Sequence, residues 1–130
     1  TAEAFSENNA GVFDVVTCLE MLEHVPDPES IVASAAKLLK PGGHLFFSTI
    51  NRNPKSFALA IIGAEYLLNM VPKGTHDYKK LIKPSELASA LRANELNLLD
   101  ISGITYNPFT KHYKLSRDID VNYILHCTQQ

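Results

Sequence analysis

Two apolar runs separated by a short helical stretch constrain the fold of this chain more than any other feature. The runs at Val12–Cys18 and Leu45–Ile50 are rich in β-branched and aromatic residues, a composition typical of buried strands. Between them, Ile31, Ala35 and Leu38 recur at the spacing of one helix face. The sequence therefore predicts a strand, a helix and a second strand in close succession.

The predicted helix has clear end signals. Asp27 can accept a hydrogen bond from the first turn, and Pro28 suits the first helical position. The run Lys-Pro-Gly-Gly at 40–43 ends the helix, because proline cannot continue it and glycine permits the exit conformation. A strand–helix–strand unit of this kind is a right-handed crossover between parallel strands, and strands apolar on both faces are expected between two helical layers. We therefore predict an α/β fold.

Two more helices and an irregular start are predicted. Phe57–Val71 is apolar around most of its circumference, and the segment from Pro84 to Asn94 directs Leu87 and Leu91 inward. Residues 1–11 are polar, and we expect them to form a flexible start.

The last part of the chain predicts two strands. They lie at Leu98–Tyr106, with a bulge expected at Gly103, and at Val121–Cys127, where Val121, Tyr123, Leu125 and Cys127 recur at every second position. No helix is predicted between them, so they should form an antiparallel pair at the end of the sheet. Residues 107–119 are expected to form a surface loop.

The composition excludes some classes of function. The net charge of −2 gives no basic surface for nucleic acid, and 45% hydrophobic with 20% charged residues is typical of a folded globular domain. Cys18 and Cys127 are far apart, which argues against a disulfide framework or a zinc site and favours a reducing compartment.

A polar cluster follows the first predicted strand. Ligands of open α/β sheets bind beyond the carboxyl ends of the strands, and Glu20, Glu23 and His24 lie just past Cys18. On a helix these three side chains would share one face, and two crowded carboxylates favour a divalent cation. The pattern therefore indicates a metal site for Mg²⁺, Mn²⁺ or Zn²⁺. The alternative is a solvated glutamate beside a histidine that packs or caps a helix.

Other polar residues are weaker candidates. His76 could act as a general base oriented by Asp77, although a His-Asp pair in a loop is more often structural. Thr17, Thr49 and Asn51 are further candidates for contacts at the same edge of the sheet.

Several strings of residues carry a more specific signal than any of these patterns. They lie at 18–28 (Cys-Leu-Glu-Met-Leu-Glu-His-Val-Pro-Asp-Pro), 47–53 (Phe-Ser-Thr-Ile-Asn-Arg-Asn), 63–66, 71–77 (Val-Pro-Lys-Gly-Thr-His-Asp), 106–108 and 120–123 (Asp-Val-Asn-Tyr). Through them the chain resembles the O-methyltransferases of ubiquinone biosynthesis, within the class I methyltransferases. The resemblance implies a single partial domain over 1–130, the C-terminal half of a Rossmann-like sheet with strands in the order 4-5-7-6 and flanking helices.

The resemblance also implies a chemistry. The family methylates a hydroxyl of a polyprenylated phenol or catechol with S-adenosyl-L-methionine and Mg²⁺ or another divalent metal. It implies that Leu19 lines the adenosine pocket and that Glu20, Glu23 and His24 bind the metal, which would lower the pKa of the attacking hydroxyl. The competing interpretations are a methyltransferase for another small phenol, a Rossmann-type dehydrogenase half, and a half-domain without catalytic activity.

One departure from the family pattern is large. The glycine-rich loop and the acidic residue that hold the cofactor in the family are absent from this sequence. We therefore expect the chain alone to bind the cofactor weakly or not at all and to be inactive. We also expect its first strand, at 12–18, to be an exposed edge that promotes self-association.

The apolar helix raises the question of a membrane surface. Arg52 and Lys55 precede it and Lys73, Lys79 and Lys80 follow it, a pattern typical of an interfacial helix. We expect 54–80 to form a lid or interfacial insertion, with 57–71 touching the membrane. The resemblance implies a cytoplasmic protein, peripheral on the inner membrane (on the matrix side in a mitochondrion), that meets other ubiquinone-biosynthesis enzymes.

Overall fold

The computed structural model describes residues 1–67, 72, 74, 77–107 and 109–129. Its helices and strands follow one another in the order α1 (Ala2–Asn8), β1 (Phe13–Leu19), α2 (Pro28–Leu38), β2 (Leu39–Ile50), α3 (Pro54–Ser56), a π-helix (Phe57–Leu67), α4 (Pro84–Ala93), β3 (Leu96–Asn107), β4 (His112–Ser116) and β5 (Asn122–Gln129). Short 3-10 turns lie at Leu22–His24 and Tyr78–Lys80.

The strands form one sheet in the order β1-β2-β5-β3-β4. β1 pairs with β2 in parallel, and β5 lies antiparallel between β2 and β3. The predicted crossover between parallel strands is therefore confirmed, and so is the predicted order of the four main strands with an antiparallel pair at the end.

The crossover helix α2 begins and ends where its capping residues predict. The Asp27 carboxylate accepts a hydrogen bond from the Ser30 N–H at 3.2 Å, and Pro28 opens the helix. After Leu38 the chain enters β2 through the Lys-Pro-Gly-Gly run. This run bulges out of the sheet, because Phe13 pairs with Leu39 whereas Val15 already pairs with His44.

The core lies on one face of the sheet. Helices α2 and α4 pack there against fully buried Leu45, Phe47, Tyr123 and Leu125. The opposite face carries Val15, which is 52% exposed. Two helical layers were expected from the apolar strands, but in the described part of the chain α2 and α4 cover only the first face.

The start of the chain is helical, where a flexible start was expected. Thr1 caps α1 by accepting from the Ala4 N–H at 3.3 Å. Lys37 on α2 binds Glu7 at 2.8 Å, and Ser30 donates to Glu3 at 3.0 Å. These contacts with α2 stabilise a helix that has almost no apolar face of its own.

The second difference is a hairpin in place of the expected loop at 107–119. β4 pairs with the last part of β3, from Gly103 opposite Ser116 to Asn107 opposite His112. The bulge in β3 lies between Leu98 and Asp100, not at Gly103. Gly103 is required for another reason: a Cβ atom there would lie 1.7 Å from the Asp118 carbonyl oxygen.

The segment between β2 and α4 begins and ends at the same point of the sheet. Ile82 donates its N–H to the Ile50 carbonyl at 3.2 Å, and its own carbonyl accepts from the Tyr123 hydroxyl at 2.8 Å. Within the segment Ile61 packs against Ile50 and Leu81. The predicted helix is confirmed over 57–67, wound as a π-helix, while residues 68–71 lie outside the described residues. No helix in the described ranges is long and apolar enough to cross a membrane.

The expected self-association through 12–18 stays a prediction. β1 pairs only with β2 among the described strands, so one of its edges is unpaired within this chain.

We predict that Gly103→Ala lowers the free energy of unfolding by about 3 kcal/mol, the upper range for forcing an atom into a packed site. Urea denaturation measures this change. Gly42→Ala is the matched control, since Gly42 has φ +75° but no atom within 4 Å of the added Cβ. It should lose only about 1–2 kcal/mol from the left-handed backbone. Equal losses for the two variants would contradict the steric role of Gly103.

Candidate functional site

The candidate site lies where β1 and β2 end, at the edge of the sheet where α/β folds bind ligands. Glu20 leaves β1 with φ +51°, a left-handed conformation that is costly for a side chain with a Cβ. Ser48 at the end of β2 holds it there. The Glu20 N–H donates to the Ser48 carbonyl at 3.0 Å, and the Ser48 hydroxyl donates to Glu20 Oε1 at 2.7 Å.

The second carboxylate of the cluster is buried. Glu23 is only 3% exposed, and its Oε2 accepts a hydrogen bond from the Thr49 hydroxyl at 2.7 Å. Its Oε1 is buried without a hydrogen-bond partner in the described part of the chain. Buried oxygens without a partner are rare in folded proteins, so Glu23 Oε1 marks a position where a ligand or cation could bind.

The negative charge of Glu23 lies among groups that stay protonated. Burial, and then the charge of Glu23, raise the pKa of the Cys18 thiol to about 11. Burial, with the charges of Glu86 and Glu23, raises the pKa of the Tyr123 phenol. Neither group supplies a base at neutral pH.

A cavity of about 480 Å³ opens between α2, α4 and the Tyr78–Lys80 turn, and none of Glu20, Glu23 and His24 lines it. Leu22 and Val25 line it from the segment after β1, and Leu87 lines it from α4. Arg52, which forms an ion pair with Glu86, also lines the cavity. The volume and the apolar lining fit a small organic ligand.

Comparison with known proteins assigns the fold to a family. A family model described as a methyltransferase domain matches residues 2–101. The chain belongs to this methyltransferase family.

Curated relatives of this methyltransferase chain carry a narrower name. It is 63% identical over 125 residues to the ubiquinone biosynthesis O-methyltransferase of Pseudomonas entomophila, covering 96% of the chain and 54% of the relative. It is 60% identical over 129 residues to the protein of the same name from Hahella chejuensis, covering 99% and 54%. The expected resemblance is thus confirmed, and the chain spans about half the length of these relatives.

Solved structures show the same fold at low sequence identity. A SAM-dependent methyltransferase of Thermotoga maritima superposes with a TM-score of 0.66 at 15% identity, over 94% of this chain and 58% of that one. The magnesium protoporphyrin IX methyltransferase of Synechocystis, with bound SAH, gives 0.59 at 20% identity, over 92% and 46%.

The three expected metal ligands do not share a helix face in this chain. The 3-10 turn starts only at Leu22, after the left-handed Glu20, and it buries Glu23 while Glu20 and His24 stay exposed. Across the described ranges, no three His, Cys, Asp or Glu side chains lie together in a way that could hold a metal ion. The segment from Glu20 to His24 is thus not one continuous helix, and metal binding by these three residues stays a prediction.

The other predicted site residues lie at different places in the structure. Leu19, at the end of β1, is 53% exposed on the open face of the sheet. The Asn51 amide donates to the Ile119 carbonyl at 3.0 Å, and a contact of Asn51 with a ligand stays a prediction. Asp77 caps the turn after it by accepting from the Lys79 N–H at 3.0 Å, and His76 lies outside the described residues.

Sequence reasoning missed Ser48 and gave Thr49 little weight. Both follow three apolar residues and are buried at the end of β2. Two hydroxyl residues at the end of an apolar strand can indicate a polar site, because buried hydroxyls need hydrogen-bond partners.

We predict that Thr49→Val lowers the free energy of unfolding by about 1.5–3 kcal/mol, the usual loss when a hydrogen bond to a charged group is removed. Urea denaturation at neutral pH checks this. Thr49→Ser retains the hydroxyl and should retain most of the stability, while Glu23→Gln in the Thr49→Val background should reduce the loss. If valine and serine are equally stable at this position, the hydrogen bond does not hold Glu23.

Proposed function

We propose that this chain is part of an O-methyltransferase that methylates a hydroxyl of a polyprenylated phenol or catechol in ubiquinone biosynthesis. The observation that carries the proposal is the 63% identity to an enzyme of that name over 96% of the chain. A methyltransferase for another small phenol is the second candidate, since a cavity of about 480 Å³ suits a small acceptor.

S-adenosyl-L-methionine would supply an electrophilic methyl group, and Leu19 is the residue of this chain that we assign to its adenosine. The acceptor hydroxyl must lose its proton, and its pKa without the enzyme is about 10 by analogy with tyrosine. We propose that His24 or Glu20 accepts this proton. Both follow Leu19 in the chain, and both are exposed and so accessible to the acceptor. Ser48 and Thr49 position the segment that carries these groups.

The cavity lined by Leu22 and Val25, from the same segment as the cluster, is our candidate for the hydrophobic part of the acceptor. Its apolar lining by Leu22, Val25 and Leu87 favours a hydrocarbon chain, and Arg52, Lys79 and Lys80 provide polar groups along the same cavity.

We predict that this chain alone binds S-adenosylhomocysteine weakly or not at all, and that joining it to the first half of the Pseudomonas entomophila relative restores binding. Calorimetric titration measures the binding, and methyl transfer to a prenylated catechol measures activity. His24→Ala in the chimera should lower kcat by about 100-fold if His24 takes the proton, with cofactor binding unchanged.

Three results would change the proposal. Micromolar binding by the chain alone would contradict the need for the other half. Methylation of unprenylated catechol, with no preference for the prenylated form, would favour the second candidate. A chimera that folds and binds cofactor but methylates neither would contradict the function.

A divalent cation at Glu20, Glu23 and His24 is a separate hypothesis. The unpartnered Glu23 Oε1 and the neighbouring carboxylate of Glu20 support it, whereas the separation of the three side chains does not. We predict weak binding of Mg²⁺ or Mn²⁺ to the chain by calorimetry, reduced further by Glu23→Gln. Tight binding that Glu23→Gln abolishes would show that the three residues rearrange around an ion.

We also propose a peripheral location on the inner membrane, with the π-helix in contact with the lipid. Exposed Phe57, Leu59 and Ile62 support this contact. Contacts with other enzymes of ubiquinone biosynthesis are part of the same proposal.

A further inference from the structure

Two histidines on neighbouring strands meet on the face of the sheet opposite α2 and α4. The Nδ1 atom of His44 in β2 lies 3.0 Å from the Nε2 atom of His126 in β5. Phe46 is the ladder partner of His126, and His44 is two residues before Phe46, so the histidines are diagonal neighbours across the antiparallel pair. Along both strands they alternate with buried residues of the core, which places both imidazoles on the open face.

The histidine pair is distant from the candidate functional site. His44 is the ladder partner of Val15, near the start of β1, whereas Glu20 binds Ser48 at the end of β2. The four residues from His44 to Ser48 span about 13 Å of strand. The pair therefore belongs to a different part of the sheet and is not used in the proposed methyl transfer.

An aromatic neighbour orients one of the two rings. Phe46 stacks on His126 with ring centroids 4.5 Å apart and planes 7° from parallel. His126 is partly buried, whereas His44 is exposed to solvent. The His126 imidazole is thus held in position before any ligand binds, which lowers the conformational cost of binding. Strands in the middle of a sheet also hold their side chains more rigidly than loops do.

The contact between the rings requires a nitrogen without a proton. In a hydrogen bond between two imidazoles, one ring donates its N–H and the other accepts with a lone pair. A transition-metal ion binds the same kind of lone pair and can take the place of the bridging hydrogen. The proton of the donor ring then moves to the other nitrogen of that ring, so both rings stay neutral and both offer a lone pair to the ion.

The separation of the two nitrogens favours one class of ion. Two nitrogens each about 2.1 Å from an ion lie about 3 Å apart at a right angle and about 3.4 Å apart at the tetrahedral angle. The observed 3.0 Å matches the right angle, which square-planar Cu²⁺ and Ni²⁺ adopt. Tetrahedral Zn²⁺ requires the two rings to move apart.

A carboxylate lies on the same face of the sheet. Asp100 in β3 is the ladder partner of His126 and is exposed, and its carboxylate accepts from the Ser102 hydroxyl at 3.0 Å. Among the residues that the structure describes, no group of three His, Cys, Asp or Glu side chains is placed to hold a metal. The two imidazoles are therefore the protein ligands, water completes the coordination, and Asp100 adds a negative charge nearby.

We propose that His44 Nδ1 and His126 Nε2 form a binding site for a divalent transition-metal ion, with Cu²⁺ preferred to Ni²⁺ and Zn²⁺. An ion at this position joins β2 to β5 and stabilises the centre of the sheet. The site differs in chemistry from the cation hypothesis at Glu20, Glu23 and His24, where carboxylate oxygens favour Mg²⁺ or Mn²⁺.

Calorimetric titration of the 130-residue chain with Cu²⁺, and separately with Zn²⁺, tests the site. We expect tighter binding of Cu²⁺ than of Zn²⁺. Either His44→Gln or His126→Gln should weaken Cu²⁺ binding about 100-fold or more, because the second ligand of a chelate binds within the same molecule. His112→Gln, at an exposed histidine of β4, is the matched control and should leave the affinity unchanged. Asp100→Asn should weaken binding by a smaller factor than either glutamine variant.

Two further measurements use the unsubstituted chain and do not depend on the folding of a variant. The electron paramagnetic resonance spectrum of bound Cu²⁺ should show coupling to two imidazole nitrogens. The midpoint of urea denaturation should rise with Ni²⁺ concentration, since an ion that binds the folded chain stabilises it. Ni²⁺ is the suitable ion here, because Cu²⁺ can oxidise the thiols of Cys18 and Cys127 once unfolding exposes them.

Several results would overturn the proposal. Absence of Cu²⁺ binding, or coupling to a single nitrogen, would show that the two rings form a hydrogen bond only. Cu²⁺ binding that survives both glutamine variants but is lost with His24→Gln would assign the ion to the other cluster. Tighter binding of Zn²⁺ than of Cu²⁺ would contradict the right-angle geometry. Far-ultraviolet circular dichroism checks that each variant is folded.

Discussion

The parallel pairing of β1 with β2 is the constraint on which the rest of this structure depends. It sets α2 as the crossover on one face and brings Leu19 next to Ser48 at the same edge of the sheet. Once β2 is fixed, β5 pairs along it from His44 to Ile50, and β3 follows. The candidate site is a direct result of this pairing, because Glu20 and Glu23 come from the end of β1 while their hydrogen-bond donors come from the end of β2.

The two carboxylates at this edge of the sheet have very different environments. Glu20 is exposed and bound by a serine, whereas Glu23 is buried with one oxygen satisfied and one not. Burying a carboxyl oxygen without a hydrogen-bond partner costs stability, and a core built only for stability would place an apolar residue there. The retained carboxylate is the strongest physical sign in this chain that the edge of the sheet serves a ligand.

The sequence was sufficient where structure is determined locally or by strongly apolar patterns. The Asp27–Pro28 cap, the strands around it and the inward residues of α4 were predictable because each depends on neighbours along the chain. Helix α1 was not, because its buried residue is Ser6 and its support comes from α2. β4 was not predictable because both of its faces are exposed, so no hydrophobic pattern marks it. The burial of Glu23 depends on Thr49, which is distant in sequence, and no local rule reveals it.

The closed ends of the segment between β2 and α4 have an evolutionary consequence. Ile82 returns to the carbonyl of Ile50, so the backbone enters and leaves this segment at nearly one point. Loops with adjoining ends tolerate large changes in length at little entropic cost. The residues between these two points can therefore diverge, lengthen or be exchanged for another module while the sheet and its carboxylates keep their positions. A single scaffold could in this way acquire new acceptors without any change in how it folds.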